Sequence, residues 1–131
     1  MTITPEDLQA LIRDYSIEIT PKAAQKIGDF RPWLTEGTQV YVPNLRGTKI
    51  SDCIDTCELL QKQQMRAVPH IVLRNYRSED ELRQTLDRVQ ALGIDRILLL
   101  AGAASQPLGP YDSVMSMLKT GLLQHYRFAH I

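Results

Sequence analysis

Asp95-Arg96-Ile97-Leu98-Leu99-Leu100-Ala101 (D-R-I-L-L-L-A) is a near-continuous apolar run. This is the pattern of a parallel strand covered on both faces. A helix signature precedes it. Ser78-Glu79-Asp80-Glu81 has the capping-box spacing, serine at the N-cap and glutamate three residues later. Leu82, Leu86 and Val89 carry that helix forward, and Gly93 supplies its C-terminal stop. After the run, Gly102 to Pro110 reads as a loop of small residues, and Ser113 to Leu123 as the next helix. Tyr126 to Ile131 begins another strand.

The same alternation holds toward the N-terminus. Arg66 to Leu73 (R-A-V-P-H-I-V-L) is a strand in which Pro69 should occupy a bulge or an end, because proline lacks the ladder N–H. Ser51 to Gln63 is a helix carrying Ile54, Cys57, Leu59 and Leu60. Gln39 to Pro43 (Q-V-Y-V-P) is a strand ended by Pro43 and by the turn residues Asn44 and Gly47. A short, poorly patterned helix is expected around Lys22 to Ile27, after the alternating strand Tyr15 to Thr20. Thr4-Pro5-Glu6-Asp7 starts the first helix, with threonine as N-cap and proline at the first position. Leu8, Leu11, Ile12 and Tyr15 share one of its faces.

Strand and helix alternating four times, then a strand, is βαβ architecture with a parallel sheet and right-handed connections. A doubly wound sheet and part of an eightfold barrel both fit. The glycine fingerprints of dinucleotide-binding and P-loop folds are absent. A complete barrel needs roughly 250 residues, so 131 residues hold about half of one.

Composition narrows the function classes. Fifteen basic residues balance fifteen acidic ones, without the basic excess of a nucleic-acid binder. With 44% hydrophobic and 23% charged residues the chain is an ordinary globular domain. No apolar run approaches the ~20 residues of a membrane span, and the N-terminus has no signal-peptide pattern. The cytoplasm is the expected compartment. Cys53 and Cys57, four apart on a helix, read as buried packing, and Met115 and Met117 as core filler. His70, His125 and His130 form no metal-ligand spacing, so no metal is expected.

Glu18 is the unusual residue. It lies between Ile17 and Ile19 on the first strand, so its side chain points opposite to theirs. Facing the inside of a barrel near its C-terminal rim, the carboxyl group would be desolvated, a candidate general acid. On an ordinary alternating strand it would be a solvent-facing glutamate. His70, inside an apolar run, reads as a hydrogen-bonded core residue or as a ligand contact. Ala101-Gly102-Ala103-Ala104-Ser105 is either a tight turn or a place where a flat ligand approaches the backbone.

Taken together, five segments resemble the methylenetetrahydrofolate reductase family, in particular its shorter members. They are S-I-E-I-T-P-K (Ser16 to Lys22), V-Y-V-P-N (Val40 to Asn44), V-P-H-I (Val68 to Ile71), L-L-L-A-G (Leu98 to Gly102) and P-Y-D-S-V-M-S-M-L-K-T-G (Pro110 to Gly121). They occur in the family's order and spacing and cover nearly the whole chain. The resemblance implies an eight-stranded β/α (TIM) barrel, of which residues 1–131 would be the N-terminal half, a single incomplete domain. It implies FAD bound at the C-terminal ends of the strands and reduced by NADH or NADPH. Hydride then passes to the bridging carbon of methylenetetrahydrofolate, giving the methyl product. Glu18 matches the family's general acid, which protonates the folate nitrogen. His70 matches a flavin-contacting histidine, Ala101, Gly102 and Ala103 a flavin-contacting loop, and Tyr111, Asp112 and Ser113 a further segment approaching the flavin.

Two departures qualify what is implied. The family's aspartate beside the flavin is Ala103 here, and its threonine near the nicotinamide site falls at about Pro43. The family also continues beyond the point matching Ile131, through a P-E-x-H-P segment and three more βα units. Half a barrel exposes two sheet edges and its interior, so such a chain is expected to pair with another copy or a complementary half, aggregate or rearrange into an open sheet, unless it is an N-terminal piece of a longer product. The rival expectation is a catalytically silent half-barrel that binds a partner or ligand without turnover. An unrelated phosphate-binding βα domain is disfavoured by the lack of a glycine-rich loop.

Overall fold

The computed structural model describes residues 1–131. Its elements are α1 (Pro5–Ile12), β1 (Ser16–Glu18), α2 (Pro21–Ile27), β2 (Gln39–Val42), α3 (Ile50–Lys62), β3 (Arg66–Val72), α4 (Glu79–Ala91), β4 (Leu98–Leu100) and α5 (Val114–Leu118). Short 3-10 turns follow at Leu73–Asn75 and Leu122–His125. The four strands are all parallel and lie in chain order, β1-β2-β3-β4. A doubly wound sheet reverses its strand order at a switch point, and no reversal occurs here. The expected fifth strand is reduced to one parallel bridge, His130 to Arg96 beside β4, which continues the same order. No helix is long and apolar enough to cross a membrane.

Register shows which side chains share a face, since paired residues in neighbouring strands point the same way. Ile17, Val40 and Ala67 form one row, and Val42 and Pro69, then Ile71 and Leu99, extend that face. These strand residues meet α3 and α4 in a single core with Ile54, Cys57, Leu60, Leu82, Leu86 and Val89. The leucines and valine of α4 are fully buried, each contributing about 1.5–3 kcal/mol of hydrophobic stabilisation. Cys53 and Cys57 are buried free thiols, as packing residues should be. The opposite face carries Glu18, Tyr41, Val68, His70, Val72, Leu98 and Leu100. Val68 and Val72 are buried yet stand outside the core cluster. The buried apolar side chains of α3 and α4 belong to the core of the first face. The apolar run Asp95 to Ala101 forms just three paired residues, and Leu98 remains 38% exposed.

Local chemistry explains most boundaries. Ser78 caps α4 by accepting the Glu81 N–H at 3.2 Å. The Glu81 carboxylate accepts from the Arg77 N–H instead of closing the box on Ser78. Pro69 lies within β3, at neither a bulge nor an end. The Arg66 N–H donates to Thr38 O on the β2 side, so by alternation the amide positions of Ala67, Pro69 and Ile71 face β4. Gln61 Oε1 takes the Ala67 N–H, and β3–β4 pairing begins only at His70 with Leu98. The missing proline donor thus falls where no ladder bond is required.

Three further expectations are corrected. The first helix forms with its Thr4–Asp7 capping box, but buries none of its residues. Leu8, Leu11, Ile12 and Tyr15 are all exposed. The helix expected from Ser113 to Leu123 stops at Leu118, and Gly121, in the left-handed region at φ 75°, redirects the chain into a 3-10 turn. Met117 is core, whereas Met115 on the outer side of that short helix is 61% exposed.

Candidate functional site

The open face of the sheet brings together the two residues the sequence reading singled out on separate strands. Glu18 is the last residue of β1, and His70 lies two strands away on β3. Glu18 Oε2 approaches His70 Nε2 to 3.7 Å. Tyr41 of β2 stands between them in register with Glu18, and its ring meets the His70 ring edge-on with centroids 6.1 Å apart. The strand alternation that places Ile17, Val40 and Ile71 in the core puts these three polar groups on the other side.

The environments of the pair differ. The His70 side chain is 13% exposed and its Nε2 is buried without a hydrogen-bond partner. Burial lowers its pKa below the ordinary 6.5, while the nearby Glu18 charge works in the opposite direction. The Glu18 side chain is 59% exposed. The desolvated carboxyl group expected at this position is therefore not found in the four-stranded sheet. Val68, Val72, Leu98 and Leu100 form an apolar floor beside the pair.

The loop after β4 crosses the end of this floor. Ala101 and Gly102 are partly buried and Ala103 is exposed. Gly102 has φ 102°, and a Cβ there would lie 2.6 Å from Val72 Cγ1. The tight approach anticipated for this glycine is thus made by the chain's own Val72 at the strand end. Farther along, Gly109 runs so close to the carbonyl oxygens of Tyr76 and Arg77 that any Cβ would collide with backbone.

The other three candidate residues serve the scaffold. Tyr111 is 2% exposed within the core cluster, and its hydroxyl donates to Glu79 Oε2 at 3.3 Å. Burial, aided by the Glu79 charge, raises the phenol above its usual value of 10. Its ring does not reach the open face. Asp112 is exposed and contributes its backbone carbonyl, which accepts from Arg74 Nε. Ser113 is the N-cap of α5, its hydroxyl accepting from the Ser116 N–H. The structure therefore gathers Glu18 and His70 on one face with Ala101 and Gly102 at its end, and leaves Tyr111, Asp112 and Ser113 in structural positions.

Three residues escaped the sequence reading. Tyr41 was legible only as a strand residue, although its alternation with Val40 and Val42 already puts it on the Glu18 face. Arg74 carried no signal, because its contacts are made to carbonyls some thirty or more residues away. Asn44, read as a turn residue, is 8% exposed with Oδ1 unpartnered. A separate groove of about 370 Å³ lies between the loops after β1 and β2, lined by Thr20, Lys22, Gln25, Thr48 and Asp52, and includes none of the candidate residues. No protein-family model matches the chain.

Proposed function

We propose that residues 1–131 form the N-terminal half of a (β/α)8 barrel of the methylenetetrahydrofolate reductase type. In this reading the open face of the sheet holds FAD, with NADH or NADPH as reductant and a folate-type molecule as substrate, in a cytoplasmic enzyme. The observation that carries the reading is the approach of Glu18 to His70, 3.7 Å apart across an intervening strand. These are the two residues to which the resemblance assigns acid and flavin-contact roles. Chain-order parallel strands alternating with helices are the arrangement of a barrel wall, whose active sites lie at the C-terminal strand ends.

The residues present suit a flat, partly polar ring system. Val68, Val72, Leu98 and Leu100 offer an apolar floor. His70 Nε2 is buried without a partner, so a polar ring edge within reach would satisfy it. Gly102 brings backbone rather than a side chain to the end of that floor. A bound flavin supplies the hydride chemistry, and the protein supplies orientation and protons. Glu18 protonates the folate nitrogen, and Tyr41 holds the His70 ring by its edge. Water must be kept from Glu18 for that role, so the reading requires a cover over this face, whether further strands of the barrel, a second copy of the chain or a complementary chain.

A second reading has its own support. Ala103 offers no carboxylate where the family has one, and Glu18 is largely exposed. Both suit a half-barrel that binds a ligand or partner without turnover. Absorbance separates the two. The flavoenzyme reading expects a yellow protein whose flavin band is bleached by NADH or NADPH without oxygen. Glu18→Gln is then expected to spare flavin reduction and abolish folate reduction. A colourless protein that takes up no added FAD overturns the enzyme reading and leaves the silent one.

A further inference from the structure

Residues 101–112 form a long connection between β4 and α5 without regular structure. Such a segment is ordinarily mobile unless its polar backbone groups find fixed partners. Here one residue outside the loop supplies four of them. Arg74 Nε donates to Asp112 O at 2.8 Å and Arg74 Nη1 donates to Ala104 O at 2.7 Å. Its backbone N–H donates to Ala101 O at 3.0 Å, and its carbonyl accepts from the Leu108 N–H at 2.9 Å. The contacts are spread along the loop, from its first residue to its last.

Arg74 is itself held fast. It sits in the 3-10 turn Leu73–Asn75, between Leu73, 0% exposed, and Tyr76, 2% exposed, both in the core. No carboxylate forms an ion pair with it. Its charge is directed at carbonyl oxygens, and charge-assisted bonds of this kind are stronger than neutral ones. Lysine is a poorer substitute, because its ammonium lacks the planar fork that aims separate N–H groups at two carbonyls in a fixed geometry. Gly102, packed over Val72, and Gly109, packed on the Tyr76 and Arg77 carbonyls, let the loop lie flat along the same segment.

We infer that Arg74 is a positioning residue, which presets the 101–112 loop so that Ala101–Ala103 stand ready at the edge of the open face. That this loop meets a flavin rests on the function proposed above; that Arg74 holds it does not. The test uses the 131-residue chain with two readouts, amide hydrogen exchange and titration with FAD. In Arg74→Ala, the amides of position 74 and Leu108 are expected to exchange about a hundredfold faster, roughly tenfold for each charge-assisted bond lost. The Ile71 amide within β3 should be unchanged. FAD affinity should fall by at least about tenfold, the scale of one such bond, and added methylguanidinium should restore both readouts. Arg74→Lys, which keeps charge and bulk, should show an intermediate loss, and it decides the matter if the alanine variant does not fold.

Unchanged exchange in both variants would overturn Arg74's hold on the loop. Faster exchange with unaltered FAD affinity would overturn its role in positioning for the ligand. If the unmodified chain itself binds no FAD, the flavin reading fails, and exchange alone still decides whether Arg74 sets the loop.

Discussion

Two opposing influences meet at His70. Burial favours the neutral imidazole, and the Glu18 carboxylate 3.7 Å away favours the charged one, with burial the larger. A histidine whose folded pKa lies below 6.5 binds fewer protons folded than unfolded between those two values. Stability from this group is therefore complete above pH 6.5 and is lost as pH falls through the folded pKa. Glu18→Gln removes the opposing influence, so the His70 pKa should fall further and the acid-side loss should extend to lower pH. Following the imidazole resonances by NMR checks this, and an unmoved midpoint would mean that the carboxylate does not sit at His70. That Glu18 points opposite to Ile17 and Ile19 was legible from strand alternation. That Glu18 and His70 meet was not, since it depends on the register of β1, β2 and β3, which no local pattern states.

The elements follow local chemistry where that chemistry is local, and depart from it where a neighbour intervenes. The Ser78 cap was legible, and Ser78→Ala should cost about 1 kcal/mol through the lost bond to the Glu81 N–H. Gly109 was read only as part of a small-residue loop, yet its Cα hydrogen faces the Tyr76 and Arg77 carbonyls. Gly109→Ala should cost more, about 1–3 kcal/mol, since backbone must move to admit a methyl group. Urea denaturation of the two variants measures both losses, and a Gly109→Ala cost below that of Ser78→Ala would contradict the close packing of loop on turn. The helix from Ser113 was overread for a related reason. Its apolar spacing continues to Leu122 and Leu123, but Gly121 at φ 75° breaks the hydrogen-bonding run, so those leucines reach the core from a separate turn.

At the scale of the molecule, one face of the sheet builds the core with α3 and α4, and the other carries Glu18, Tyr41 and His70. Parallel βαβ architecture was legible from the alternation of strand and helix patterns. The order of the strands stayed open between a doubly wound sheet and part of a barrel, because it follows from how non-local pairs assemble. The asymmetry predicts unequal costs on partner strands. Ile71 is 0% exposed and faces the helices, so Ile71→Ala should cost about 2–5 kcal/mol. Leu98 pairs with His70 one residue away but faces the open side at 38% exposure. Leu98→Ala should therefore cost under about 1 kcal/mol, the range of a partly solvated side chain. Comparing the two by urea denaturation over a range of protein concentrations also reports on the cover that the proposed function requires. If the face is bare in solution, the small Leu98 cost will hold at every concentration. If a second copy closes over it, the cost will rise with concentration toward that of Ile71→Ala, because the same leucine will then be leaving an interior.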